Sequence, residues 1–335
     1  MTTKIKYTFK DFASDQDVRW CPGCDDYVIL RSIQKALPET GRKKEDIVFI
    51  SGIGCSSRFP YYMDNYGIHG IHGRAAAIAT GTKLANPNLS VWVASGDGDS
   101  MAIGGNHFIH AIRRNINLNY ILFNNEIYGL TKGQFSPTSL LGQITKSSPY
   151  GNDQAPFNPG ELAIGAHAKF FARAAGNDAK LQTKLYIAAD KHKGLALVEI
   201  LQNCVIFNDG AYKSIADKSV KDDMQLVVEH GKPMIFGKNK DKGLVLDGMK
   251  LKVVTIGENG ITEDDILVHD AHEPDPTLHL ALINMNEPVV MGVIRAVEEK
   301  TLEEREEEVT EYAKKVNPIK SFDELLFSGQ TFEVE

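Results

Sequence analysis

The chain has 335 residues, 42% of them hydrophobic and 29 of them glycine, with a formal net charge of −7. That length accommodates one large α/β domain with an appendage, and the negative balance leaves nucleic acid no electrostatic footprint. No apolar run reaches the roughly 18 residues a bilayer span needs, and the opening MTTKIKYTFKDF lacks a signal-peptide core, so a cytoplasmic protein is expected.

In chain order, Asp11 to Arg19 is polar and irregular and leads into Trp20-Cys21-Pro22-Gly23-Cys24. A CxxC dithiol can cycle through a disulfide, but a thioredoxin pair follows a strand, and none is expected here. Val48 to Ile50 reads as a strand running into Gly52-Ile53-Gly54-Cys55. His69 and His72 fall in YGIHGIHGR, just before the helix-like RAAAIATGTKLA. Leu89 to Ala94 predicts a buried strand, Gly96-Asp97-Gly98 a sharp turn with Asp97 directed outward, and Ile103 to Arg114 a helical crossover. Tyr120 to Phe123 predicts a second buried strand, whose carboxyl end delivers Asn124 and Asn125 beside Asp97.

Gln143 to Pro159 is polar and rich in Pro, Gly, Ser and Asn, the composition of a long functional loop. Pro159 to Ala175 reads as an Ala-rich helix, Ala179 to Lys191 as another, and Leu195 to Leu201 as a strand leading into Cys204. After residue 210 the grammar changes, which suggests a division into residues 1–210 and a C-terminal extension, 211–335. Met234 to Gly237, Gly243 to Leu246 and Leu251 to Val254 are short strand-like runs of a hairpin or small meander. Glu298 to Lys315 is a charged helix with a sparse apolar face, a solvated surface helix or a clasp on a partner.

Two constellations carry chemistry. The first is the acidic glycine segment Gly96-Asp97-Gly98-Asp99 followed about 25 residues later by Asn124-Asn125, the separation one helical crossover requires. Mg²⁺ takes octahedral oxygen ligands, and a carboxylate, an amide oxygen, a backbone carbonyl and two phosphate oxygens nearly complete that shell. Neither a GxGxxG fingerprint nor a Walker GxxxxGK[ST] is present, and an acidic turn suits a metal rather than bare phosphate. The second is the set of four cysteines, Cys21, Cys24, Cys55 and Cys204. Cys55 and Cys204 follow predicted strands, so all four can converge on the edge where Asp97 and Asn125 lie. Four thiolates hold a tetrahedral zinc or an iron–sulfur cluster. Spacing does not choose between them, although a single CxxC knuckle leans toward the cluster.

The GDG…NN pair resembles the diphosphate-binding motif of thiamine diphosphate enzymes. With WCPGCDDYVIL, SGIGCSSRFPYY, HGIHGRAAAIATGTKLANP, GDGDSMAIGGNHFIHAIRRN and FNNEIYGLTKGQFSPTS, residues 10 to 210 resemble the β subunit of 2-oxoacid:ferredoxin oxidoreductases, particularly the 2-oxoglutarate type. The resemblance implies a thiamine diphosphate-binding α/β fold, a mostly parallel sheet with flanking helices plus a small β-rich and helical extension. It implies one [4Fe–4S] cluster on the four cysteines, and Mg²⁺ on the side chains of Asp97 and Asn125 and the main-chain carbonyl of Ile127. The cofactor would then lie against Ile53, Gly54, Cys55, Ser56, His72, Gly96, Gly98, Asp99, Gly129 and Leu130, with Gly129 and Leu130 close to the reacting centre and His72 and Leu130 as catalytic candidates, the protonation role of His72 left open.

The activity so implied is oxidative decarboxylation of 2-oxoglutarate to succinyl-CoA and CO₂, with coenzyme A as co-substrate, ferredoxin as electron acceptor, and the reductive direction also open. Arg58 is the residue expected to receive the distal carboxylate, as an arginine fork suits it. Its plain alternative is a sheet-edge arginine paired with a structural carboxylate. In the family the glutamate that contacts the aminopyrimidine ring belongs to a separate pyrimidine-binding domain, so an α subunit and an (αβ)₂ assembly are expected. Arg19, Lys132 and Lys146 are candidates for a basic ferredoxin patch. The alternatives are oxidation of another 2-oxoacid such as pyruvate, or a non-oxidative thiamine enzyme with structural zinc.

Overall fold

A computed structural model describes residues 6–334. Its main sheet contains β1 (Ile47–Ser51), β2 (Tyr66–His69), β3 (Ser90–Gly96), β4 (Asn119–Asn124), β5 (Phe170–Ala175), β6 (Ala196–Leu201) and β7 (Gln225–Val228). A separate antiparallel sheet follows, built from β8 (Ile235–Phe236), β9 (Lys242–Asp247) and β10 (Lys250–Thr255), after which β11 (Val289–Ala296) returns to the main sheet. The eight strands run in the order β2-β1-β3-β4-β6-β5-β11-β7, parallel at every pair except β5 with β11.

Both faces of this sheet are covered, which is why its central strands read as continuous apolar runs rather than alternating ones. Successive side chains point to opposite faces. Val48 and Ile50 of β1 join Val91 and Val93 of β3 in one core, against helices Ala75–Ala85 and Gly105–Arg114. Ile47, Phe49 and Trp92 enter the other core, against helices Asp26–Thr40 and Ala179–Lys191. Residues after 210 contribute β7 and β11 to the main sheet, so the compositional change at that point is not an edge of the sheet.

The expected strands at Val48–Ile50, Leu89–Ala94, Tyr120–Phe123 and Leu195–Leu201 are β1, β3, β4 and β6, and the strand-like runs after residue 230 are β8 to β10. The charged helix is Leu302–Val316, with no buried residue. The helix expected through Ala175 is a misreading: it stops at Gly165, and Phe170–Ala175 is β5, every residue of it buried. Pairing with β6 on one side and β11 on the other overrides the helix preference of its alanines.

A second correction concerns Gly96-Asp97-Gly98. It is a strand-to-helix junction in which Asp97 opens a short helix, Asp97–Met101, and neither glycine adopts a positive φ. Gly98 is needed for room, because a Cβ there would run into the Tyr128 ring. Among the described residues no helix is long and apolar enough to cross a membrane.

Candidate active site

The carboxyl ends of the parallel strands open onto a cavity of about 500 Å³. Its walls include Ile53, Gly54, Cys55 and Ser56 after β1, Gly96 to Asp99 after β3, Asn125, Ile127, Gly129 and Leu130 after β4, and His72. Ligands of open α/β sheets bind in this position.

Asp97 is 2% exposed, and burial pushes its carboxyl up from the usual range. Ser136 Oγ and Thr138 Oγ1 both donate to its Oδ2, at 2.5 Å each. A buried carboxylate with a raised pKa and one saturated oxygen is the electrostatic setting a hard cation would relieve. Asp99 does a different job. Its Oδ1 accepts from the backbone of Gly73 at 2.7 Å and of Ile53 at 3.0 Å, and contacts His72 Nδ1 at 2.7 Å, while Oδ2 accepts from Ser95 at 2.6 Å. A Cβ at Gly52 would collide with this carboxylate. Asp99 therefore ties the β1 and His72 segments to the β3 end, and with Nδ1 engaged, His72 Nε2 has no partner among the described residues.

The two asparagines divide their work. Asn124 does not line the cavity; it donates from Nδ2 to Glu199 Oε1 at 2.9 Å, and Glu199 Oε2 accepts from Arg173 Nε at 2.7 Å. Asn125 lines the cavity and accepts from the Ile127 N–H at 3.2 Å.

The four cysteines are unpaired thiols, Cys21 exposed and the other three half-buried. Cys55 and Cys204 approach one point, since a Cβ on Gly129 would stand 3.6 Å and 3.5 Å from their sulfurs. Gln202 Nε2 lies 3.1 Å from Cys24 Sγ, and Trp20 Nε1 donates to the Cys55 carbonyl at 2.7 Å. Burial, and then the nearby Asp26 carboxylate, push the Cys24 thiol far up and Cys55 up to about 12, with the charge of Cys204 adding to both. Thiolates in such a place require a compensating metal charge.

Arg58 is not part of the cavity wall. It is exposed, with Nε donating to Tyr62 Oη at 2.7 Å and its guanidinium 5.7 Å from the Tyr61 and Tyr62 rings. His69 lies on the exposed strand β2, against Tyr61.

Residues 52–200 match the family model of the thiamine pyrophosphate enzyme C-terminal TPP binding domain. The chain is 52% identical over 307 residues to the 2-oxoglutarate oxidoreductase subunit KorB of Mycobacterium tuberculosis, an alignment spanning 90% of this chain and 82% of that one. It belongs to the β subunits of the 2-oxoacid:ferredoxin oxidoreductases, 2-oxoglutarate type. The 2-oxoglutarate synthase subunit KorB of Archaeoglobus fulgidus is 46% identical over 185 residues, 55% of this chain and 69% of that one. A solved 2-oxoglutarate:ferredoxin oxidoreductase from Magnetococcus marinus, with 2-oxoglutarate, coenzyme A and succinyl-CoA bound, superposes with a TM-score of 0.76 at 30% identity, covering 98% of this chain and 97% of that chain. The β subunit is thus one part of an enzyme that also contains an α subunit.

Several residues of this oxidoreductase subunit went unread in the sequence. Asp26, Phe123, Tyr128, Thr131 and Gln134 also line the cavity. Asp26 is 2% exposed; burial, followed by the charge of Asp25, raises it to about 7. It opens helix Asp26–Thr40, whose apolar face at Ile29, Ile33 and Leu37 was legible at helical spacing. Ser136 and Thr138 carried no signal linking them to Asp97, since their partnership arises only when the loop folds back.

Proposed function

We propose that this β subunit, with its α subunit, carries out the coenzyme A-dependent oxidative decarboxylation of 2-oxoglutarate to succinyl-CoA and CO₂, and sends the electrons to ferredoxin. The observation that carries this reading is the shared wall: Cys55 and Gly129 line the cavity, and Gly129 also abuts Cys204. A cofactor in the cavity and a cluster on the four cysteines would be direct neighbours.

The residues fit the groups. Asp97, Asn125 and the Ile127 carbonyl would hold Mg²⁺ and through it a diphosphate, and Cys21, Cys24, Cys55 and Cys204 would hold a [4Fe–4S] cluster. Among the described residues no three His, Cys, Asp or Glu side chains stand close enough to hold a single metal ion. The preference for a cluster over one zinc rests on the family to which the chain belongs. When bound, thiamine diphosphate supplies the electron sink for loss of CO₂ and the cluster accepts electrons singly, in a sequence that can also run toward carboxylation.

The protein's own part is placement. Asp99 fixes His72 so that Nε2 can hold or release a proton at the cavity wall. Among the described residues the ionisable carboxyls of the wall are Asp26, Asp97 and Asp99, with no arginine or lysine, which suits a cation and a cationic thiazolium ring better than a substrate dianion. The distal carboxylate is therefore assigned to Arg58, next to the Ile53–Ser56 wall, together with groups of the α subunit. Among the described residues no glutamate lines the cavity, and the aminopyrimidine contact is also assigned to the α subunit. Exposed Ile53, Ile71, Ile103 and Leu130 near the mouth suit its docking. With Cys21 the exposed member of the four, electrons would leave on its side.

Anaerobic stopped-flow absorbance on the co-produced α and β subunits tests this reading. Addition of 2-oxoglutarate should bleach the iron–sulfur band, and coenzyme A should change the rate. No bleaching in a preparation loaded with cluster and thiamine diphosphate would overturn it, and zinc in place of iron would favour the non-oxidative alternative.

A further inference from the structure

Ser136-Pro137-Thr138-Ser139 lies outside both the GDG and the NN segments, yet its hydroxyls reach both. Ser136 and Thr138 donate to Asp97 Oδ2 at 2.5 Å, and Thr138 Oγ1 also stands 2.9 Å from Asn124 Oδ1. Ser139 Oγ donates to the Glu126 carbonyl at 2.5 Å and accepts from the Ser136 N–H at 2.7 Å. Glu126 sits between Asn125 and Ile127 with φ of 57°, a left-handed conformation that non-glycine residues keep only when held. The three hydroxyl residues are 3%, 3% and 0% exposed, so water does not compete for these bonds.

The same four residues form the neck of a long loop. Pro137 O accepts from the Phe157 N–H at 2.8 Å, and Asn152 Nδ2 donates to the Ser139 and Leu140 carbonyls at 3.0 and 3.2 Å. The segment between, 140–151, exposes Leu140, Leu141, Ile144 and Tyr150. Both side-chain donors to Asp97 reach Oδ2, so a cation would be taken by Oδ1.

We propose that Ser136, Thr138 and Ser139 are positioning residues for the cation site: they orient Asp97 and the Asn125–Ile127 backbone, and they couple cation binding to closure of the 140–152 loop. This rests on the assignment of Asp97 as a cation ligand. The pull of two hydroxyls on Oδ2 fixes the carboxylate's rotation, and a cation on Oδ1 would in turn hold the carboxylate that latches the neck.

The test uses the αβ enzyme stripped of metal and resupplied with Mn²⁺ and thiamine diphosphate. Mn²⁺ affinity is read by electron paramagnetic resonance titration, and loop closure by proteolytic cutting within 140–152. Thr138→Val should weaken Mn²⁺ binding about tenfold or more, as loss of a ligand's supporting hydrogen bond commonly does. Thr138→Ser should restore it, and Ser136→Ala should weaken it independently. Metal and cofactor should slow loop cutting in the wild type and no longer do so in Thr138→Val. Wild-type affinity in Thr138→Val, or an equal loss in Thr138→Ser, would overturn the proposal. Retention of Mn²⁺ by Asp97→Asn would instead overturn the cofactor reading beneath it.

Discussion

At Asp97 the sequence motif and the packing pull in opposite directions. A carboxylate buried to 2% exposure is unfavourable in the metal-free chain, and burial has already pushed its pKa up. Asp97→Asn should therefore melt no lower than the wild type without ligands. Mg²⁺ with thiamine diphosphate should stabilise only the wild type, by about 2.7 kcal/mol at a hundredfold excess over Kd. Calorimetry with and without both ligands checks this. Arg58 is the opposite case, an exposed group outside the cavity wall, so its effect on substrate should be moderate. Arg58→Leu should raise KM for 2-oxoglutarate roughly tenfold, about 1.4 kcal/mol, and leave pyruvate or 2-oxobutyrate little changed. Steady-state kinetics on the three acids would show it, and equal losses on all of them would remove Arg58 from substrate selection.

Strand β5 shows how an element escapes sequence reading. Phe170–Ala175 carries three alanines and an arginine, a composition at home in a helix, and its partners β6 and β11 are distant in sequence or invisible to it. The arginine is legible only in place: Arg173 pairs with Glu199 at 2.7 Å, with side chains 6% and 1% exposed, and Glu199 in turn holds Asn124 at the end of β4. Removing one partner strands a buried charge. Arg173→Leu should cost about 3–5 kcal/mol in denaturant unfolding, and adding Glu199→Met should recover much of it. The central strands β1, β3, β4 and β6 were readable because burial on both faces writes itself as an unbroken apolar run. Exposed β2 has no such signature.

Over the whole molecule, chemistry concentrates at the carboxyl ends of the strands, while another cavity, lined by Phe170, His192, His230 and His272, lies on the β5–β11–β7 side of the sheet. The His192 and Phe170 ring centroids are 5.1 Å apart, His192 Nε2 is enclosed there without a partner among the described residues, and burial, followed by the charge of His272, lowers its pKa to about 4. The unfolded chain takes up this proton near pH 6.5 and the folded chain near 4. The stability that neutral His192 allows is thus complete above about 6.5 and drains away as pH falls toward 4. Thermal unfolding between pH 7 and 5 should show this slope, and His192→Leu should flatten it. The assembly adds its own prediction: the isolated β subunit should show no 2-oxoacid decarboxylation until α subunit is added, and activity from the β subunit alone would sink the shared-site model.

The sequence by itself determined the βαβ scaffold, the family, and the stretches that meet on one cavity, because hydrophobic period, the GDG and NN segments and the cysteine contexts are local properties. Tertiary structure decided what depends on distant segments closing on one another. It split Asn124 from Asn125, turned Asp99 into a tie between strand ends, brought the hydroxyls of Ser136 and Thr138 onto Asp97, and made Phe170–Ala175 a strand. Each of these is a partnership across the sheet edge or between non-adjacent strands. Sequence spacing carries no trace of it, since the free energy that selects it exists only once both partners are buried together.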